Sequence, residues 1–223
     1  MANFTKSIHG CAPTGKSGAL ATSFAEFTRY FAEGDGQLWE RQALTKARVV
    51  VSADGAGAEA TRLAEEAAYQ HRFSPADAAA IRDMRRRLED ASTPTNLKRG
   101  AGGIVDIEFL VQMLQLKHGR ENTRLRTPNT LLALAALAAA GLIDAADHSF
   151  LSDSYRLLRT VECRLRLMNT TARDDLPTDE VETAKLARAL AYPSGQALLA
   201  ECRKCRQGNR ARFERYIAAA ARG

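Results

Sequence analysis

A chain of 223 residues, 45% hydrophobic and 26% charged, has the composition of a soluble globular protein with room for one large domain or two unequal ones. Its 32 lysines and arginines against 26 aspartates and glutamates leave a net charge of +6, which points to an anionic partner without naming it. No apolar run reaches the ~18 residues of a membrane span, MANFTKSIHGCAPTG lacks the apolar stretch of a secretory signal, and four cysteines are too few for a disulfide framework, so a cytoplasmic protein is expected.

Residues 1–14 show no clear period. Gly10 to Ser17, GCAPTGKS, formally matches a phosphate-binding loop. That loop needs a buried strand before it and a helix directly after it, but NFTKSIH is polar and Gly18 interrupts the helix. Ser23 can cap a helix from Phe24 to about Ala32, ended by Gly34 and Gly36. A second helix, Leu38 to about Ala47, places Trp39, Ala43 and Leu44 on one side and Glu40 and Arg41 on others. The β-branched Val49, Val50 and Val51 suggest a short strand, with the cations Lys46 and Arg48 between helix and strand. A Gly-rich turn at 54–58 leads to a helix ending near Gln70. Ser74, Pro75 and Asp77 then supply a cap, a first-position proline and a first-turn acid for a helix to about Ala91. Its basic run, Arg85 to Arg87, reads as a solvated or dipole-complementing face. Thr93, Pro94 and Thr95 form a hinge.

Asn96 to Leu116, NLKRGAGGIVDIEFLVQMLQL, is the stretch the rest is organised around. Lys98 and Arg99 precede Gly100, Gly102 and Gly103, and an apolar helix begins at Ile104. Glycine lets another group approach closely, and a helix start offers unpaired N–H groups and a positive dipole end, which suit a phosphate. Ile104 to Leu116 are apolar almost all round, so the helix is expected to be buried. Asp106 and Glu108 fall on nearly opposite sides and cannot share one metal ion. Asp106 in the first turn reads as dipole and capping service. Glu108, on a stripe with Gln112 and Gln115, reads as a buried carboxylate paired with an arginine from another helix.

Beyond Gly119, Thr127 and Pro128 start an alanine-rich helix closed by Gly141. A long helix runs from about Asp147 to Asn169, with Leu151, Tyr155, Leu158, Cys163, Leu165 and Met168 as apolar contributors. Arg159, Glu162 and Arg166 share one of its faces, and one of these arginines is a candidate partner for Glu108. Thr178 and Asp179 open a helix to Leu190, and Ser194 opens the last one, to about Ala221. Cys202 and Cys205 form a C-x-x-C inside that helix, without the second ligand pair of structural zinc or the strand-to-helix setting of a redox site. Stacking aromatics interleaved with basic residues, which single-strand nucleic-acid binders require, are absent.

KRGAGGIVDIEFLVQ resembles a signature of the glutamine synthetase adenylyltransferase/deadenylase family. So do WERQALTKARVV, Trp39 to Val50, and GKSGALATSF, Gly15 to Phe24. LRTPNTL, Leu125 to Leu131, and the run from Tyr155 to Pro177 also fit, in the same order. The resemblance implies a mainly α chain: a small remnant of a nucleotidyltransferase α/β sheet at residues 1–54, then a helical bundle at 55–223. It implies transfer of AMP from ATP to glutamine synthetase, or its phosphorolytic removal, with ATP and Mg²⁺ in the intact enzyme and a PII-type signal protein as a possible further partner. Nucleic acid and membrane are not expected partners.

By the same resemblance, Lys46, Arg48, Lys98, Arg99, Gly102 and Gly103 are expected at nucleotide phosphates, and Trp39, Glu40, Arg41, Asp106 and Glu108 are structural or cleft-lining. The family's G-S…D-x-D and D-x-R-L-R-P motifs, which supply the metal-binding carboxylates, have no counterpart here; Ile8 stands at the aspartate position. No catalytic or metal-ligating residue is therefore expected, and the chain by itself is expected to be inactive. The alternative is a non-catalytic module that binds glutamine synthetase or a PII-type protein.

Overall fold

The computed structural model describes residues 7–9, 21–34, 36–52, 55–168 and 174–222. The protein is mainly α. Strands β1 (Ser7–His9) and β2 (Ala21–Ser23) pair antiparallel, Ile8 opposite Thr22. They are followed by α1 (Phe24–Ala32), α2 (Leu38–Leu44), α3 (Ala56–Tyr69), α4 (Pro75–Asp90) and α5 (Ile104–His118). A 3-10 turn (Thr123–Leu125), α6 (Thr130–Ala139), α7 (Ala145–Met168), α8 (Glu180–Ala189) and α9 (Gly195–Ala220) complete the described elements.

Local chemistry explains most of these boundaries. Ser23 and Glu26 form a reciprocal capping box at α1: the Ser23 hydroxyl accepts from the Glu26 amide, and the Glu26 carboxylate accepts from the Ser23 amide. Asp179 and Ser194 cap α8 and α9 through the amides of Glu182 and Ala197. The turn before α3 has Gly55 at φ +74°, in the left-handed region that favours glycine.

Two compact units divide the chain. One takes residues 1–74 and 112–136, the other 75–111 and 137–223. The expected boundary after residue 54 falls inside the first unit, between α2 and α3, which pack on one another. In this unit Phe27, Leu44, Leu63, Ala67, Ala68 and Tyr69 make the core. In the second, α9 packs against α4, α7 and α8 around Leu97, Ile104, Leu158, Leu186, Leu198 and Cys202.

Three readings need correction here. Val49, Val50 and Val51 are not a strand. They run as exposed irregular chain, Val51 at 88% exposure, because no described segment pairs with them and β-branched residues favour strands only where a partner exists. Helix α2 is turned the other way from its apolar reading. Trp39 is 47% exposed, while Glu40, Arg41 and Gln42 are buried with Leu44. Each of the three finds a hydrogen-bond partner: Glu40 accepts from the half-buried Tyr30, Arg41 donates to the Ala67 carbonyl, and Gln42 donates to Gln112. On α7, Cys163 and Met168 face out, and Leu151, Leu158 and Leu165 carry the packing. The phosphate-loop match at 10–17, and Asp54, lie outside the described residues.

Candidate functional site around the glycine stretch

The segment before α5 is held from several sides within the second unit. Thr95 to Leu97 pair with 174–176: Leu97 N donates to the Asp174 carbonyl at 2.7 Å, and Leu176 N to the Thr95 carbonyl at 3.0 Å. The Asn96 side chain accepts from the amides of Lys98 and Arg99, at 3.1 and 2.7 Å. Further on, Gly100 N bonds the Asn96 carbonyl, Gly103 N the Gly100 carbonyl, Ile104 N that of Leu97 and Val105 N that of Lys98. Gly102 N donates to the Asp106 carboxylate at 3.1 Å. The orphan amides expected to face an anion are therefore spent inside the chain.

The carbonyls of the same stretch are taken up by side chains of α4 and α9. Arg85 donates to Gly100 O, Arg206 to Ala101 O and Pro94 O, and Asn209 to Gly102 O, all at 2.8 to 3.0 Å. Glycine is required at 102 because φ is +68° and a Cβ would run into the Arg206 backbone. Gly100 and Gly103 would likewise drive a Cβ into neighbouring carbonyls. These glycines let α9 and the loop approach each other.

Asp106 is fully buried at the centre. It accepts from Arg85 Nε at 2.5 Å and lies 2.8 Å from Arg210 Nε. Arg210 also reaches Glu89, and Arg85, 1% exposed, is the buried member of the basic run that read as solvated. Asp106 thus does its capping work through Gly102, and beyond that it neutralises two guanidiniums. Burial pushes its carboxyl above the usual carboxylate range, against the pull of Arg85 and Arg210.

Glu108 takes the place expected of a different contact. It is half-buried and accepts from the Tyr155 phenol at 3.0 Å, whereas Arg159 and Arg166 bracket the buried Glu162 on their own helix. Three- and four-residue spacing lets those arginines reach Glu162 without leaving α7. A third carboxylate, Asp147, is enclosed by Arg212, Arg215 and Tyr216 of α9. Asn209, Arg206 and Arg210, the groups that grip the stretch, went unnoticed in the sequence. Their only local mark is three- and four-residue spacing on α9 and a polar asparagine deep inside a helix.

The expected phosphate contacts divide between the units. Lys46 and Arg48 belong to the first unit, where Lys46 Nζ donates to Thr130 at 2.6 Å and Arg48 is exposed. Lys98, Arg99, Gly102 and Gly103 belong to the second, where both cations have their amides fixed by Asn96 and Arg99 points into solvent. Among the described residues no three His, Cys, Asp or Glu side chains stand together as metal ligands. The buried carboxylates Asp106, Asp147 and Glu162 are each bordered by arginine, a setting that repels a cation, and the buried Glu40 stands apart from other possible ligands, so the described residues do not fit a pair of Mg²⁺ ions. Cys202 is buried in the core, its thiol pushed up to about 12 by burial, which removes thiolate chemistry.

Comparison with known proteins adds the following. Residues 61–217 match a family model described as GlnD PII-uridylyltransferase, and residues 11–63 match one described as glutamate-ammonia ligase adenylyltransferase. A bifunctional glutamine synthetase adenylyltransferase/adenylyl-removing enzyme from Streptomyces coelicolor is 37% identical over 186 residues, 80% of this chain and 18% of that protein. The enzymes of that name from Stenotrophomonas maltophilia and Hahella chejuensis are 36% and 33% identical, over 84% and 87% of this chain and 20% of each relative. The chain thus spans about a fifth of the length of the curated relatives it matches.

Proposed function

Because the chain belongs to the glutamine synthetase adenylyltransferase family, we propose that it forms the helical portion of an enzyme that moves an adenylyl group onto glutamine synthetase from ATP, or off it by phosphorolysis. The observation that carries this reading is the 37% identity with a bifunctional adenylyltransferase/adenylyl-removing enzyme over four-fifths of the chain. The chain's share is positive charge. Lys98 and Arg99 sit on a stretch whose backbone is clamped at nearly every amide, and their side chains form no hydrogen bond or ion pair with another described residue. Because the backbone is already fixed, meeting a phosphate orders only the side chains and not the loop, which favours binding. Lys46 and Arg48 serve the same end on the other unit. ATP and Mg²⁺ belong to the intact enzyme, glutamine synthetase is the protein partner, and the compartment is the cytoplasm.

Titration of a fluorescent ATP analogue into the chain tests this. Each charged contact is worth roughly 1.5–3 kcal/mol, so Lys98→Ala with Arg99→Ala should weaken binding at least about tenfold. Affinity unchanged in the double variant removes the proposed contacts. A second reading is favoured by one feature, the internal use of the loop and helix amides: the chain is a non-catalytic module that binds glutamine synthetase or a PII-type protein. Capture of glutamine synthetase without nucleotide, together with no nucleotide binding, would decide for it.

A further inference from the structure

On the second unit, α9 presents a stripe at four-residue steps, Leu199, Arg203, Gln207 and Ala211, along a groove of about 680 Å³. The segment carrying Leu176, Pro177 and Thr178 lines the same groove, as does Ala101 of the glycine stretch. Among the described residues three arginines border it, Arg203, Arg206 and Arg210, and no carboxylate does. Arg210 is ion-paired with Asp106, Glu89 and Glu214, and Arg206 lies in the field of Asp106 and Glu89 without an ion pair to either. Arg206 donates to the neutral carbonyls of Ala101 and Pro94, and Arg203 and Gln207 are exposed and bonded to no other described residue. The groove therefore joins apolar side chains to the positive charge of Arg203, which no described carboxylate meets, and of Arg206, which makes no ion pair.

We propose that this groove docks an acidic peptide segment of a protein partner, one in which carboxylates alternate with aliphatic side chains. The carboxylates would pair with Arg203 and the outer edge of Arg206, the Gln207 amide would bond the peptide backbone, and the aliphatic side chains would cover Leu176, Pro177 and Leu199. A nucleotide fits the lining less well, since no aromatic ring among the described residues borders the groove to stack a base. Bulky apolar groups beside a few placed donors suit a peptide. The site is separate from Lys98 and Arg99, and the inference does not depend on the nucleotide reading.

The test uses the full chain and fluorescence anisotropy of a labelled five-residue peptide alternating glutamate and leucine, with the lysine–leucine peptide as control. The acidic peptide should bind and the basic one should not. Arg203→Glu and Thr178→Glu, both at exposed positions, should each weaken binding about tenfold or more by placing like charge in the groove. Circular dichroism checks that both variants keep their helix content. No binding of the acidic peptide at about 1 mM, a range that would still detect millimolar affinity, overturns the proposal. So does binding that is indifferent to both variants, or ATP or inorganic phosphate binding that depends on Arg203 while the peptide does not bind.

Discussion

Asp106 shows what one buried charge does. It neutralises Arg85, which is 1% exposed and cannot reach water if its partner is lost. Breaking a buried pair from one side costs about 3–5 kcal/mol, whereas replacing both members with apolar residues is often neutral or stabilising. Asp106→Asn is therefore expected to lower stability by about that amount in urea unfolding, and Asp106→Leu with Arg85→Met to recover much of it. A double variant as unstable as the single one would mean the pair itself contributes net stability. Alkaline titration probes other buried groups. Burial, with the Asp147 contact, raises the Tyr216 phenol from 10.0 to about 12, and burial raises the Cys202 thiol from 9.0 to about 12. Both pKa values are higher folded than unfolded, so the native state holds more protons and stability falls as pH rises. The contribution should be whole below about pH 9 and disappear as pH passes about 12. Melting temperatures measured across that window should decline, less steeply in Tyr216→Phe.

At the scale of an element, Gly102 and Gly141, both in the left-handed region, separate conformation from contact. Both have φ near +70°, but a Cβ on Gly141 meets nothing, while one on Gly102 meets the Arg206 backbone. Gly141→Ala should cost only the left-handed penalty of about 1–2 kcal/mol. Gly102→Ala adds a collision with main chain that cannot move without shifting α9, so it should melt well below Gly141→Ala or fail to accumulate. Equal melting temperatures would show that α9 and the loop are looser than their hydrogen bonds imply. The contrast was only half legible beforehand. Clustered glycines signalled close approach, yet the approaching group is a helix more than a hundred residues later rather than a ligand.

For the whole molecule, charge sets the expected limit on chemistry. Adenylyl transfer builds negative charge on the phosphoryl oxygens and the leaving group, which carboxylate-held metal ions stabilise. Of the described buried carboxylates, Asp106, Asp147 and Glu162 are tied to arginine, and Glu40 accepts from the Tyr30 phenol and the Gln37 amide. Each ~1.4 kcal/mol of lost stabilisation is tenfold in rate, so the 223-residue chain is expected to show no radiolabelled AMP transfer to glutamine synthetase and no phosphorolytic reversal. Mg²⁺-dependent turnover in either direction, abolished by Asp106→Asn at unchanged helix content, would place the chemistry at Asp106 instead.

The sequence by itself determined where helices begin and end, because caps, prolines and glycines act on neighbours three or four residues away. Ser23, Asp179 and Ser194 could be read directly, and so could the burial of α5 from its apolar circumference. Only the tertiary structure decided which charges turn inward. Arg85 looks like Arg86 and Arg87 in sequence, and Glu40, Arg41 and Gln42 look more exposed than Trp39. Burial of a charge depends on a partner supplied from far along the chain, as Arg210 is for Asp106 across 104 residues. No local pattern carries that information, since the desolvation cost is offset only once the partner, the hydrogen bonds and the surrounding helices are all in place.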